Sequence, residues 1–303
     1  MDKTRFEAMA ERKNSMNKLS AGERQARAIN AAQVIAEEHG AKRGRPVILR
    51  DTNHTIVHLT PAPIVAKVSI DKRFRHDSSS LAREVHVASL LAGAGAPVVR
   101  PTSTPPPGPH YVNGVELTFW EFCSHNPEAE ISASEAGRSL RVVHDFLNDM
   151  RTELPGLPPF TLQIDEAESL LNTPENVPLL PEEDRAFLSG LYQKFRSDIE
   201  IPPLNYQPLH GECNPRQAIS SPYGVRWLDF AACLGPKEWD LAVFDEESIN
   251  AYGTADRSLL GLLRTARLFC IVTWCWTQPD RAPEVREAAE YHLANLKQSI
   301  RTR

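Results

Sequence analysis

Apolar residues along the chain recur at two different periods, and the switches between them mark its elements. Ile29, Val34 and Ile35 fall on a helical spacing behind Ser20-Ala21-Gly22-Glu23. That run has the S-x-x-E form of a capping box, so the pattern predicts a helix from Ser20 that Gly40 stops. The period then drops to two. "PVILR" (46–50), "TIVHLT" (55–60) and "IVAKVSI" (64–70) are short, rich in β-branched residues and parted by the turn-forming "DTNH" and "PAP", which predicts a meander of three strands. From Ser80 the helical spacing returns through Leu81, Val85, Ala88 and Leu91, to be ended by Gly93 and Gly95. A proline-rich loop, "RPTSTPPPGPH", leads into a strand-like "GVELTFWEF" (114–122). Beyond "CSHNPEAE" helices are predicted over 134–150, 182–199, 257–277 and 284–300, interrupted at 205–244 by loops around the strand-like "VRWLDF".

This order predicts an α+β protein with a small β-rich lobe (residues 1–119), a hinge (120–127) and a larger helical lobe (128–303). A chain of 303 residues has room for both, since single cores stop growing at about 250 residues.

Composition narrows the class. With 41% hydrophobic and 24% charged residues the chain is an ordinary globular one. Its five cysteines are odd in number and lack CxxC spacing, which argues against a disulfide framework or a zinc cluster and for thiols in a reducing cytosol. The charged start has no apolar leader, and "LFCIVTWCWTQP" near the end falls short of the roughly 18 residues a membrane span needs, so a cytoplasmic protein with no membrane partner is expected. Charge is uneven: 17 Lys and Arg against 11 Asp and Glu in residues 1–119, then 17 against 28 in residues 120–303. A basic front suits an anionic ligand and an acidic back a cationic one. No basic run is interleaved with aromatics, so no nucleic acid is expected.

The chemistry begins with two residues. Lys67 sits within the third strand, on the face opposite Ile64, Ala66, Val68 and Ile70. Glu84 shares the inward helical face of Leu81 and Ala88, where an unpaired carboxylate would be costly to bury. The two form an expected ion pair of the kind that positions the α and β phosphates of a nucleotide.

Two later phrases, "HGECNPRQ" and "WLDFAACLGPKEWDLA", resemble the aminoglycoside phosphotransferase family, whose pattern is H-G-D-x-H-x-x-N, then a strand ending in Asp, then a D-L-A helix start. "LAREVHVASLLAGAGAPVVRP" and "ISASEAGRSLRVVH" resemble two helices of the same family, and the similarity runs from about Pro46 to Phe244. It implies a two-lobed protein-kinase-like fold, ATP or GTP as donor and Mg²⁺ as cofactor. Residue by residue, it implies Glu212 as catalytic base, Gln217 and Asp229 as metal ligands, and Lys67 with Glu84 as the phosphate-positioning pair. It places Asn53 in the phosphate-covering turn, although no glycine-rich loop is present, and the backbone of Trp120, Glu121 and Phe122 against the adenine at the hinge.

Asp240 matches the D-L-A aspartate and is expected to N-cap a helix beginning at Leu241. His210 is expected as a brace and His144 as a satisfied core histidine. Three positions depart from the family: Glu212 for Asp, Asn214 for His and Gln217 for Asn. The first and last each add one methylene, which fits a loop set further back with longer arms; the alternative is a nucleotide-binding pseudokinase. The acceptor implied is a small hydroxylated molecule, aminoglycoside-like or amino-sugar-like, and the acidic Asp245, Glu246 and Glu247 favour a cationic one.

Overall fold

The computed structural model describes residues 19–70, 80–126, 128–199, 206–279 and 282–301. The charged N-terminal start and Pro127 of the expected hinge lie outside them.

Helix α1 (Ala21–Glu38) starts on the expected capping box, with Ser20 and Glu23 satisfying each other's backbone amides. The meander follows as β1 (Val47–Asp51), β2 (Thr55–His58) and β3 (Ile64–Ser69). After α2 (Ser80–Gly93) come β4 (His110–Val112) and β5 (Val115–Glu121), giving a five-stranded antiparallel sheet in the order β1-β2-β3-β5-β4. Alternation along β3 assigns its two faces. Ile64, Ala66 and Val68 pack with Leu117, Phe119 and the alanines of α1. On the other face Val65 meets Val85 and Ala88 of α2, beside Trp120. Val57, Val68, Leu117 and Phe119 are fully buried, each stabilising the lobe by about 1.5–3 kcal/mol.

The helical lobe opens with α3 (Ala133–Asp149), capped by Ser132 and Glu135 in a second capping box. Next comes α4 (Thr161–Leu171), absent from the sequence pattern, and α5 (Glu182–Arg196), which stops short of the expected residue 199. The stretch expected to be loop-rich forms two ribbons. β6 (Gln207–Leu209) pairs with β9 (Cys233–Gly235), and β7 (Ala218–Ser221) with β8 (Gly224–Trp227). The chain ends with α6 (Glu238–Leu241), α7 (Glu246–Tyr252), α8 (Arg257–Thr277) and α9 (Pro283–Arg301).

Helix α8 extends the apolar run near the end into a core helix. As a helix the apolar run near the end extends over Arg257–Thr277, long and apolar enough by length and composition to cross a membrane, with half of that stretch buried in the fold. It packs against α4, α5, α6 and α9. Its Arg267 is buried, lies 5.0 Å from the Trp239 ring and donates to Gln163 Oε1 at 2.7 Å.

Candidate active site

Strand β3 delivers Lys67 to the face turned away from α1, and α2 brings Glu84 opposite it. Lys67 Nζ donates to Glu84 Oε2 at 2.7 Å, and both side chains are buried. The same ammonium also donates to Asp229 Oδ1, from the helical lobe. Asp229 follows β8 with φ +67°, a left-handed conformation that non-glycine residues adopt at some cost and that is found often at functional sites. Burial works against the charge on Lys67, but the Asp229 and Glu84 carboxylates override it and raise its pKa. Asp229 is likewise held low, its burial outweighed by Lys67 and His54. Glu84 goes the other way: burial pushes it up to about 7, with Asp229 and Glu212 adding to the rise against Lys67. Lys67 thus stands between two carboxylates, with Glu212 near enough to act on Glu84.

The segment after β6 is suspended from Asp240. This aspartate lies inside α6, whose N-cap position is Lys237, so it is not the helix cap expected. Its carboxylate instead accepts the backbone N–H of His210 at 2.8 Å and of Gly211 at 3.0 Å. His144, on α3, bonds Asp240 Oδ2 through Nε2 at 2.9 Å and the Tyr252 hydroxyl through Nδ1 at 2.8 Å. Gly211 has φ +86°, and a Cβ there would run into the Ala231 carbonyl oxygen, so only glycine makes this turn. His210 Nε2 donates to the Leu228 carbonyl at 3.0 Å, and its ring stacks on Phe230 with centroids 4.2 Å apart. Burial pushes the imidazole pKa down to about 4, which leaves a neutral brace, as expected.

Asn214 then starts a tight turn, its Oδ1 accepting the Arg216 N–H at 2.9 Å, and the turn ends at Gln217. Gln217 precedes β7 directly, and Asp229 lies two residues beyond β8, so the ribbon fixes one against the other. Leu228 N–H donates to the Gln217 carbonyl at 3.0 Å and closes the pair. The Gln217 side chain is buried, yet its Oε1 has no hydrogen-bond partner among the described residues.

The expected site residues border one cleft of about 590 Å³ between the lobes. Lys67, Glu84 and Asn53 line its sheet-lobe side, Glu212, Gln217 and Asp229 its helical-lobe side, and Trp120, Glu121 and Phe122 its closed edge. Val65 above and Ile219 and Leu228 below form an apolar slot near that edge. The N–H groups of Glu121 and Phe122 already donate to the Arg100 and Pro63 carbonyls at 2.8 and 2.9 Å, so a base at this edge would meet other backbone groups. Residues that the motifs did not single out also reach the cleft: His54, Arg216, Glu166 and Trp274. Arg216 was the most legible of these, because it adjoins Gln217. Asp245, Glu246 and Glu247 do not line the cleft. Asp245 caps α7 through the Ser248 N–H at 2.7 Å, and Glu246 pairs with Arg257 and Arg264.

A magnesium ion fits these donors. Among the described residues no group of three or more His, Cys, Asp or Glu side chains forms a self-sufficient metal cage. Magnesium in nucleotide sites does not need one, since one or two protein oxygens share it with phosphates and water. The buried, unpartnered Gln217 Oε1 is an oxygen donor lacking its partner.

No family model and no curated protein matches the chain. Solved structures do. A choline kinase, LicA from Streptococcus pneumoniae, aligns with TM-score 0.63 at 13% identity, covering 90% of this chain and 100% of that one. An amicoumacin kinase in complex with AMP-PNP and Ca²⁺ aligns with TM-score 0.64 at 10% identity, covering 88% and 93%. The GDP and kanamycin complex of the aminoglycoside phosphotransferase APH(2″)-IIia aligns with TM-score 0.61 at 13% identity, covering 90% and 99%. The chain therefore has the two-lobed protein-kinase-like fold of these small-molecule kinases, over nearly its whole length.

Proposed function

We propose that the protein is a small-molecule kinase that transfers the γ-phosphate of ATP or GTP to a hydroxyl group. One observation carries this reading: a lysine–glutamate pair from the sheet lobe, and an acid, an amide and an aspartate from the helical lobe, converge on a single cleft in which the amide oxygen is unpartnered. In this reading residues 1–119 position the nucleotide phosphates, 120–127 form the hinge, and 128–303 carry catalysis and the acceptor site. Magnesium, held by Asp229 and Gln217, would neutralise the triphosphate. Lys67, kept cationic by its two carboxylates, orients the phosphates. Glu212 accepts or aligns the proton of the acceptor hydroxyl. Five free thiols accord with action in the cytoplasm.

An aminoglycoside-like or amino-sugar-like acceptor is supported by structural neighbours bound to kanamycin and spectinomycin. It draws no support from the acidic run at Asp245–Glu247, which does not line the cleft and whose first two residues are spent on a helix cap and ion pairs. The longer Glu212 and Gln217 favour a second reading, a nucleotide-binding protein with little transfer, because a misplacement of about 1 Å costs about a hundredfold in rate. The deciding experiment measures ADP or GDP release with Mg²⁺ across a panel of hydroxylated amines, beside Asp229→Ala. Turnover that the variant loses supports transfer. Thermal stabilisation by nucleotide without turnover supports the second reading, and neither response rejects both.

A further inference from the structure

We propose that Arg216 reads an anionic group on the acceptor, so that the hydroxyl compound bound beside Glu212 carries one acidic group on an apolar body. This rests on the kinase reading above and specifies its substrate.

Among the described residues the guanidinium of Arg216 makes no hydrogen bond or ion pair, although it borders the cleft. Only its backbone N–H is engaged, by Asn214. Lys67, by contrast, is engaged by Glu84 and Asp229. The backbone at Arg216 is also held in place. Pro215 fixes the first turn position and the Asn214 side chain caps it, so the long arm starts from a rigid base.

Its direction follows from the turn. Successive side chains in a 3₁₀ turn lie about 120° apart. Gln217 is buried and Arg216 exposed, so the two side chains leave the turn in different directions. The positive field of Arg216 reaches His292 on α9, whose pKa is lowered first by burial and then by that charge. Helix α9 packs on α8, and the last turn of α8 puts Trp274 and Thr277 on the cleft wall. Arg216 therefore stands at the end away from Phe122 and the closed edge, where an acceptor rather than a nucleotide base belongs.

The wall at that end combines apolar and acidic side chains. Leu162 and Leu170 of α4 line it together with Trp274, and Glu166 and Glu212 stand among them, while the run at Asp245–Glu247 lies elsewhere. An unpaired guanidinium matches a carboxylate or phosphate, which it can grip through two parallel hydrogen bonds.

The test uses the full chain with Mg·ATP or Mg·GTP and three hydroxy acids (glycerate, homoserine and 4-hydroxyphenyl-lactate), each paired with its own amide, with kanamycin as the polycation. At least one acid is expected to exceed its amide tenfold or more in kcat/KM. Arg216→Ala should narrow that preference to within twofold by raising KM for the acid, Arg216→Lys should restore part of it, and the Kd for Mg·AMP-PNP should stay unchanged. Calorimetry in the presence of Mg·AMP-PNP reads acceptor binding where turnover is slow. Equal handling of every acid and its amide, tighter binding of kanamycin, or no Arg216-dependent binding of any acid overturns the proposal. Weakened Mg·AMP-PNP binding in Arg216→Ala also overturns it, by assigning the guanidinium to the donor. Failure of the wild-type chain to bind Mg·AMP-PNP rejects the kinase reading itself.

Discussion

Lys67 sets the charge balance of the cleft, since a single ammonium holds two carboxylates from two different lobes. Lys67→Met should be worse than the loss of one ion pair, because Glu84 and Asp229 would face each other with no cation between them. A destabilisation of about 3–5 kcal/mol is expected from urea unfolding, together with loss of Mg·AMP-PNP binding. Glu212→Asp tests the longer arm. If the loop is set back to suit Glu212, shortening the residue lowers turnover, and a severalfold gain would sink the idea of paired lengthening. His210 gives a pH dependence of stability. Unfolded it titrates near 6.5 and folded at about 4, so between those values the unfolded chain binds the extra proton. Its contribution is complete above pH 6.5 and is lost as the pH falls through 4, about 3 kcal/mol in all. Unfolding midpoints at pH 7.5 and 4.5 should differ by less in His210→Asn than in the wild type. The roles of Lys67 and Glu84 were legible in the sequence, because alternation and helical spacing give a residue's face. The role of Asp240 was not: its bonds to His210 and Gly211 span about thirty residues, and no local period records them.

Among elements, the segment carrying Glu212 depends on α3, α6 and α7 through the Tyr252–His144–Asp240 chain. Gly137 lets α3 close on α7, since a Cβ there would strike the Ser248 carbonyl oxygen. Tyr252→Phe deprives the buried His144 Nδ1 of its partner, a cost of about 1–3 kcal/mol. Because His144 orients Asp240, which holds the segment leading to Glu212, kcat should fall while the Kd for nucleotide holds, which stopped-flow binding beside steady-state kinetics would separate. The same element scale explains which parts of the fold could be read in advance. Helix α8 was placed correctly at both ends because Leu260, Leu263, Ala266, Phe269, Cys270 and Val272 keep a dense helical rhythm. Helix α4 was missed because the buried face Gln163, Ile164, Ala167 and Leu171 includes an amide and a small residue, which thin the stripe. The three-residue strands β4, β6 and β9 are too short to show a period of two, and β6 carries Pro208 at its centre.

At the scale of the whole molecule, the contact between Lys67 and Asp229 joins the sheet lobe to the helical lobe across the cleft. A nucleotide with its metal would replace that single contact with several, from the phosphates to Lys67 and from the metal to Asp229 and Gln217. Ligand that binds only the folded chain stabilises it by about 2.7 kcal/mol at a hundred times its Kd. At roughly 2–4 °C per kcal/mol for a chain of this order of size, Mg·AMP-PNP should raise the melting temperature by about 5–10 °C. Asp229→Ala removes both the contact between the lobes and the carboxylate ligand, so it should lower the melting temperature without nucleotide and abolish most of the shift with it. Omitting magnesium should reduce the shift in the wild type and change little in the variant. An equal, magnesium-independent shift in both proteins would mean that the nucleotide is held by the apolar slot alone, and that Asp229 joins the lobes without serving the phosphates.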